Sequence, residues 1–290
     1  MLFRCFLSIS EVIILLETEH ALIQSKEFES FFVEETAEDV HVSFCEVDHL
    51  PPIPEHIIFS DECYRIGIDE NGNLQKYFFE IPEDPVHYAV ATYDQAAGWI
   101  RVDYLQAYRH CVSEVRNCFY HLLFESLLLH RSKFCLHASC VDTPLGGLLF
   151  SGVSGIGKST QADLWCKYRK SRQINGDRPI LSCDDGNWTA WGSPYAGSSK
   201  CYVNDSCDIT AIIMLKQARI CSLRRMTAAE AFRAIWSGLT VHSWDTSFVE
   251  SASSLTLELI EAIPVFELCC TPNVQAVNYL EQELRKELSL

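Results

Sequence analysis

Over its first hundred residues the chain sets short apolar runs between turn-forming segments: PPIPEH at 51–56, DENGN with its Asn-Gly at 69–73, and IPEDPVH at 81–87. Apolar runs bounded by Pro, Gly, Asn and Asp read as strands joined by hairpins. The opening MLFRCFLSISEVIILLETEH has one Arg, a short apolar patch and no small-residue cleavage site. It reads as a first strand rather than a signal peptide. From Leu105 to His130 there is neither Pro nor Gly, and Tyr108, Val112, Val115, Phe119 and Leu122 recur at alternating steps of four and three. That period predicts one long helix joining two halves.

From Phe134 the pattern becomes strand, turn, strand, helix: CLHASCVD, TPLGG, LLFS, a glycine loop, then STQADLWCKYRK. RQINGDRPILSC and NWTAWG flank DDG, a hairpin turn of the Asp-Gly kind, and AIIMLK reads as a buried strand. Thr227 and Glu230 in TAAEAF match a capping box, and TPNVQAVNYLEQEL predicts a last helix capped by Thr271 with Pro272 at its first position. The expected class is α/β. An acidic β-rich domain over 1–104 leads through a linking helix over 105–132 to an α/β domain over 133–290.

A hydrophobic fraction of 48% and a charged fraction of 21% over 290 residues describe a globular chain. No apolar stretch approaches the roughly 20 residues that cross a bilayer, so no membrane segment is expected. Fourteen cysteines lie scattered without C-x-x-C spacing, which fits reduced, mostly buried thiols and a cytoplasmic protein. Cys269 and Cys270 are neighbours on a predicted strand, where they face opposite ways and cannot jointly hold a metal. The net charge of −16 is uneven: residues 1–100 carry 20 acidic against 4 basic side chains, and the remainder carries 19 of each. Such a first half repels nucleic acid and anionic membrane. It is either a solvated face or a docking face for a basic protein or peptide.

GVSGIGKS at 152–159 places two glycines, a Lys and a hydroxyl at the spacing of a phosphate-binding loop, between a predicted strand and a predicted helix. By composition the four fixed positions arise by chance in roughly one chain in a hundred of this length. Gly155 and Gly157 allow backbone angles that turn successive N–H groups inward. The candidate nucleotide-binding residues are thus Gly152, Ser154, Gly155, Ile156, Gly157, Lys158, Ser159 and Thr160, and the expected cofactors are ATP and Mg²⁺. Lys158 would neutralise the β- and γ-phosphates while Ser159 places a hydroxyl on the metal. The metal also needs a carboxylate. AIIMLKQ ends in Lys and Gln, whereas INGDRPIL offers Asp177, followed by Arg178. Asp177 is either that ligand or a turn residue, since Asn-Gly-Asp is ordinary turn chemistry.

The order LHAS, LLFSGVSGIGKST, INGDR resembles the catalytic domain of HPr kinase/phosphorylase and of the HPr-kinase-like kinases found with peptide-modification systems, which are similar in core to phosphoenolpyruvate carboxykinase. The likeness covers about 134–290, and the first 130 residues carry none. It implies a P-loop kinase domain of that type behind a smaller β-rich domain, and a serine kinase activity. It also implies that Gly152, Gly155, Gly157, Lys158 and Ser159 form the phosphate and metal loop, that His137 lies beside the transferred phosphoryl group, and that Asp177 and Arg178 match the second aspartate of a pair and the Arg after it. Read alone, a His on an apolar strand is more often a core residue, and it is the resemblance that brings the functional reading of His137 level with that one. The first aspartate of the pair is replaced by Gly176, so one carboxylate would serve as metal ligand and general base, which counts against reverse phosphorolysis more than against the kinase reaction.

Lys200 in the loop WGSPYAGSSK and one of Arg224 or Arg225 in SLRRM are further candidates, each more readily read as a surface residue. The expected acceptor is a Ser of a protein or peptide docking on the acidic N-terminal region. The alternatives are a small-molecule kinase or carboxykinase-like enzyme and a non-catalytic ATP-binding regulatory protein. The family often forms oligomers, but no heptad here argues for one.

Overall fold

The computed structural model describes residues 2–81, 86–94 and 98–289; much of the IPEDPVH turn lies outside them. The chain forms two compact units, Met1–Phe124 and Glu125–Leu290.

The first unit is built on one nine-stranded sheet: β1 (Phe3–Ile9), β2 (Val12–Thr18), β3 (Phe32–Val33), β4 (Val40–Val47), β5 (Ile57–Ser60), β6 (Tyr64–Ile68), β7 (Leu74–Phe78), β8 (Ala89–Asp94) and β9 (Trp99–Leu105), in the order β3-β1-β2-β4-β9-β8-β7-β6-β5. The Asn-Gly segment closes the β6–β7 hairpin, where Asp69 accepts from the backbone N–H of Asn71 at 2.9 Å and of Asn73 at 2.8 Å. Along β4, Val40, Val42 and Phe44 point into the core and alternate with less buried positions, as a strand with one packed face requires.

The long helix expected over 105–132 is instead three short pieces: a 3-10 segment over Gln106–Val112, α1 (Val115–Tyr120) and α2 (Phe124–Leu129). Its apolar period is real, because Val112, Val115, Phe119 and Leu122 are all buried. The backbone is diverted. Tyr108 departs from helical angles, and the Ser113 carbonyl accepts from Ile23 N–H at 2.8 Å while Val115 N–H donates to the Ile23 carbonyl at 3.1 Å. Tertiary hydrogen bonds thus take the groups a continuous helix would use. The buried Lys76 ammonium fastens the next turn to the sheet, donating to the Tyr120 carbonyl at 3.3 Å and lying 4.4 Å from the Tyr64 ring centroid.

The second unit holds β10 (Lys133–Cys135), β11 (Ala138–Thr143), β12 (Gly146–Ser151), α3 (Lys158–Arg169), β13 (Arg172–Asn175), β14 (Ile180–Asp184), β15 (Asn187–Trp191), β16 (Ser206–Gln217), β17 (Ser222–Arg225), α4 (Ala228–Trp236), α5 (Thr246–Ala262), β18 (Val265–Cys270) and α6 (Val274–Glu287). Strands run in the order β10-β14-β15-β16-β12-β11-β13, with β18 also on β16 and β17 on β18. At its centre β12, β16 and β18 are parallel. Helices cover both faces there, so the middles of β12 and β16 are apolar on both sides, at Leu148, Leu149 and Phe150 of the first and Ala211, Ile212 and Ile213 of the second. Leu148 and Phe150 of β12 join a core with Ala162 and Trp165 of α3 and Val277 and Leu280 of α6. Leu149 points the other way, onto Ile235 of α4 and Leu255 and Leu259 of α5.

The DDG hairpin joins β14 to β15 with Asp185 and Gly186 both at positive φ, 50° and 84°. Trp188 of the latter strand is a core residue packed edge-on against Phe134. The Thr227–Glu230 capping box opens α4. The last helix starts later than expected: Asn273 is its cap, accepting from Gln275 and Ala276 N–H, while Thr271 donates its hydroxyl to the Ala218 carbonyl. Asn outcompetes Thr because its side chain is free to turn back onto the first helical turn. All fourteen cysteines are free thiols, and among the described residues no three His, Cys, Asp or Glu side chains group to hold a metal ion. Among the described residues no helix is long and apolar enough to cross a membrane.

Leu149 is fully buried at the middle of this sheet. Leu149→Ala is expected to lower the unfolding free energy of the second unit by about 2–5 kcal/mol, read as a reduced urea midpoint; an unshifted midpoint would contradict the two-faced core.

Candidate functional site

The glycine loop is the exit of β12, and the parallel core sets where it lies. Strand β12 ends at Ser151, and the chain then makes a tight loop through Gly155 (φ 76°) and Gly157 (φ 114°) before α3 begins at Lys158. Those angles are closed to residues with a Cβ at little cost. Gly157 is the N-cap of α3 and leaves it without a side-chain cap. The first N–H groups of a twelve-residue helix, with its positive dipole end, therefore open into the loop. Ser154, Gly155 and Thr160 are exposed, Gly152, Ile156 and Ser159 half-buried. Lys158 is buried, and its ammonium donates to the carbonyls of Gly152 at 3.1 Å and Val153 at 3.3 Å. Burial lowers its pKa, and Asp177 opposes that shift.

His137 stands beside this loop because the strand expected over CLHASCVD breaks at it. Strand β10 pairs with β14, whereas β11 pairs with β12 and β13, so the backbone changes partners between Cys135 and Ala138. At the break, His137 N–H donates to the Gly238 carbonyl at 2.9 Å, and its carbonyl accepts from the Ser151 hydroxyl at 2.8 Å. Its Nε2 lies 3.4 Å from Asp177 Oδ1. Although a carboxylate neighbour favours imidazolium, the His137 pKa is lowered: burial leads, Lys158 adds to it, and Asp177 opposes.

Asp177 owes its position to Asn175. The fully buried Asn175 side chain accepts from Asp177 N–H at 2.9 Å and Arg178 N–H at 2.7 Å, and donates to the carbonyl and hydroxyl of Ser193, both at 3.2 Å. Ala138 N–H donates to the Asp177 carbonyl at 2.9 Å, and the Ser139 hydroxyl to the Gly176 carbonyl at 2.8 Å. Asn175 makes the turn expected of Asn-Gly-Asp, and the turn leaves the Asp177 side chain a third exposed next to His137. Arg178 sits on the far side, its Nε 3.8 Å from Asp177 Oδ2, with its fork held by the Thr240 hydroxyl at 2.6 Å.

Gly176 is required sterically. A Cβ there would stand 1.8 Å from the Ser199 hydroxyl oxygen, so Ser199 fills the space a side chain would need. The loop carrying Ser199 closes over the turn, and the Tyr195 carbonyl accepts from Arg178 N–H at 3.2 Å. Lys200 ends that loop exposed at φ 53°. Arg224 is an exposed ion-pair residue, paired with Glu267 at 3.0 Å and Glu230 at 3.1 Å. A cavity of about 300 Å³ opens between His137, Ser151–Ser154 and the end of α4 at Ala234, Ser237 and Gly238.

The structure thus gathers Lys158, His137, Asp177 and Arg178 at one end of the central strands. Asn175, Ser193, Ser139, Thr240 and Gly238 were not singled out from sequence. Only Asn175 carried a signal, its place ahead of Gly-Asp in a turn.

No family model and no curated protein matches the chain. Among solved structures, that of the Hpr(Ser) kinase/phosphatase from Coxiella burnetii is similar at 13% identity, covering 54% of this chain and 99% of that one with a TM-score of 0.33. Likeness at that level leaves the reading of the site to its own residues.

The His137 ring is expected to titrate below the ordinary value of about 6.5, followed by its ring-proton chemical shifts across pH. Lys158→Met removes a positive neighbour and should raise that midpoint. A midpoint that does not move would contradict the coupling of the two side chains.

Proposed function

We propose that the chain is an ATP-dependent phosphotransferase that moves the γ-phosphoryl group of ATP to a hydroxyl, a Ser of a protein or peptide. The observation that carries this reading is the convergence of Lys158, His137 and Asp177 on an uncapped helix N-terminus behind a glycine loop. The residues fit the groups they would hold. The loop N–H groups and Lys158 suit phosphate oxygens, and the Ser159 hydroxyl and Asp177 carboxylate are the oxygen ligands that Mg²⁺ prefers. Bound there, Mg²⁺ supplies charge neutralisation on the phosphates.

The chain's own part is positioning and proton transfer. Lys158 places positive charge at the mouth of the loop. Asp177, oriented by Asn175, is the base that takes the proton from the acceptor hydroxyl. His137, held neutral by burial and Lys158, offers a hydrogen bond to a phosphoryl oxygen without competing for that proton. The cavity beside His137 gives room for the groups that flank the transferred phosphoryl. The acidic first hundred residues suit the docking of a basic segment of the acceptor.

A second reading, nucleotide binding without transfer, is favoured by Ser199, whose hydroxyl fills the space a second carboxylate at position 176 would need. Incubation with γ-labelled ATP, Mg²⁺ and a lysate of the cells that make the protein separates the two. Phosphotransfer is expected to label macromolecules, and Asp177→Asn to cut the labelling about 10²–10⁴-fold with ATP binding nearly intact. ATP bound by the wild type with no labelled product would establish the second reading.

A further inference from the structure

The turn Gly197–Ser199 is packed onto the base itself. A Cβ on Gly197 would lie 3.0 Å from Asp177 Cβ and 3.1 Å from Oδ1, so the backbone of this turn is in contact with the carboxylate. Gly197 can approach so closely because it lacks that atom, and its φ of 54° suits glycine. Two residues on, Ser199 is locked. Its hydroxyl donates to the Ala196 carbonyl at 2.6 Å, accepts from Cys201 N–H at 3.2 Å and packs on Gly176. Between them Ser198 is exposed. It is flanked on one side by the residue that touches Asp177 and on the other by the residue that fills Gly176.

We propose that the chain phosphorylates itself in this turn, with Ser198 as the acceptor; the inference rests on the phosphotransfer reading. The Ser198 Oγ attacks the γ-phosphorus, the bond from that phosphorus to the β,γ-bridging oxygen breaks, and ADP leaves with the electron pair. The hydroxyl proton passes to the Asp177 carboxylate and from there to solvent. A nucleophile carried by the same chain, one residue from the Gly197 backbone that packs near the base, avoids the entropy of bringing two molecules together. The modification therefore proceeds within one molecule.

The test needs only the purified full chain with Mg²⁺ and ATP, intact mass measurement and tandem mass spectrometry of the digest. One added phosphoryl group is expected on Ser198, appearing at a first-order rate independent of protein concentration. Ser198→Ala is expected to lose it, Ser198→Thr, which keeps a hydroxyl, to retain it, and Asp177→Asn to form it about 10²-fold or more slowly. Phosphate on another residue, or on added protein only, with Ser198 bare, would overturn this proposal and leave phosphotransfer standing. ATP bound but passed to no hydroxyl would overturn both.

Discussion

Strand β12 is covered on both faces, by α3 and α6 on one side and α4 and α5 on the other. Its alternate side chains are committed to two different cores, and a slip of one residue would exchange them. That constraint fixes where Ser151 ends the strand, hence where the glycine loop leaves the sheet and where α3 starts. The Ser151 hydroxyl then ties down the His137 carbonyl. The rest of the site is attached to this fixed point by hydrogen bonds from neighbouring segments. Asn175, buried with both ends of its amide satisfied, carries the same register across to Asp177. An unsatisfied buried amide is costly, so the turn has little freedom to place Asp177 elsewhere.

The electrostatics of the site follow from unequal burial. Lys158 and His137 are both shifted against their charged forms by burial, and Asp177 opposes each shift. Lys158 itself adds to the lowering at His137, so the positive lysine disfavours a second positive charge on the neighbouring ring. A second carboxylate at position 176 would change this balance, and the Ser199 hydroxyl leaves no room for one.

Much of the second unit was legible because its signals are local. Two glycines at fixed spacing, an Asp-Gly hairpin and a Thr-x-x-Glu cap each act through backbone angles or bonds a few residues apart. The break of the strand at His137 was not legible, because it arises from a change of sheet partners. The helix over 105–132 failed for a related reason: its apolar period was correct, but Ile23, far away in sequence, takes backbone hydrogen bonds at Ser113 and Val115. Asp177 was legible as a candidate, whereas the reason it can serve, the Asn175–Ser193 clamp, depends on a contact between separate segments.

The central claim is that the loop after β12 holds nucleotide phosphates, and calorimetric titration of the purified chain with ATP in the presence of Mg²⁺ tests it most directly. The account predicts saturable one-to-one binding that is lost in Gly157→Val, where a branched side chain cannot take the φ of 114° that opens α3. Heats no larger than dilution, or binding that survives the substitution unchanged in a folded protein, would contradict it.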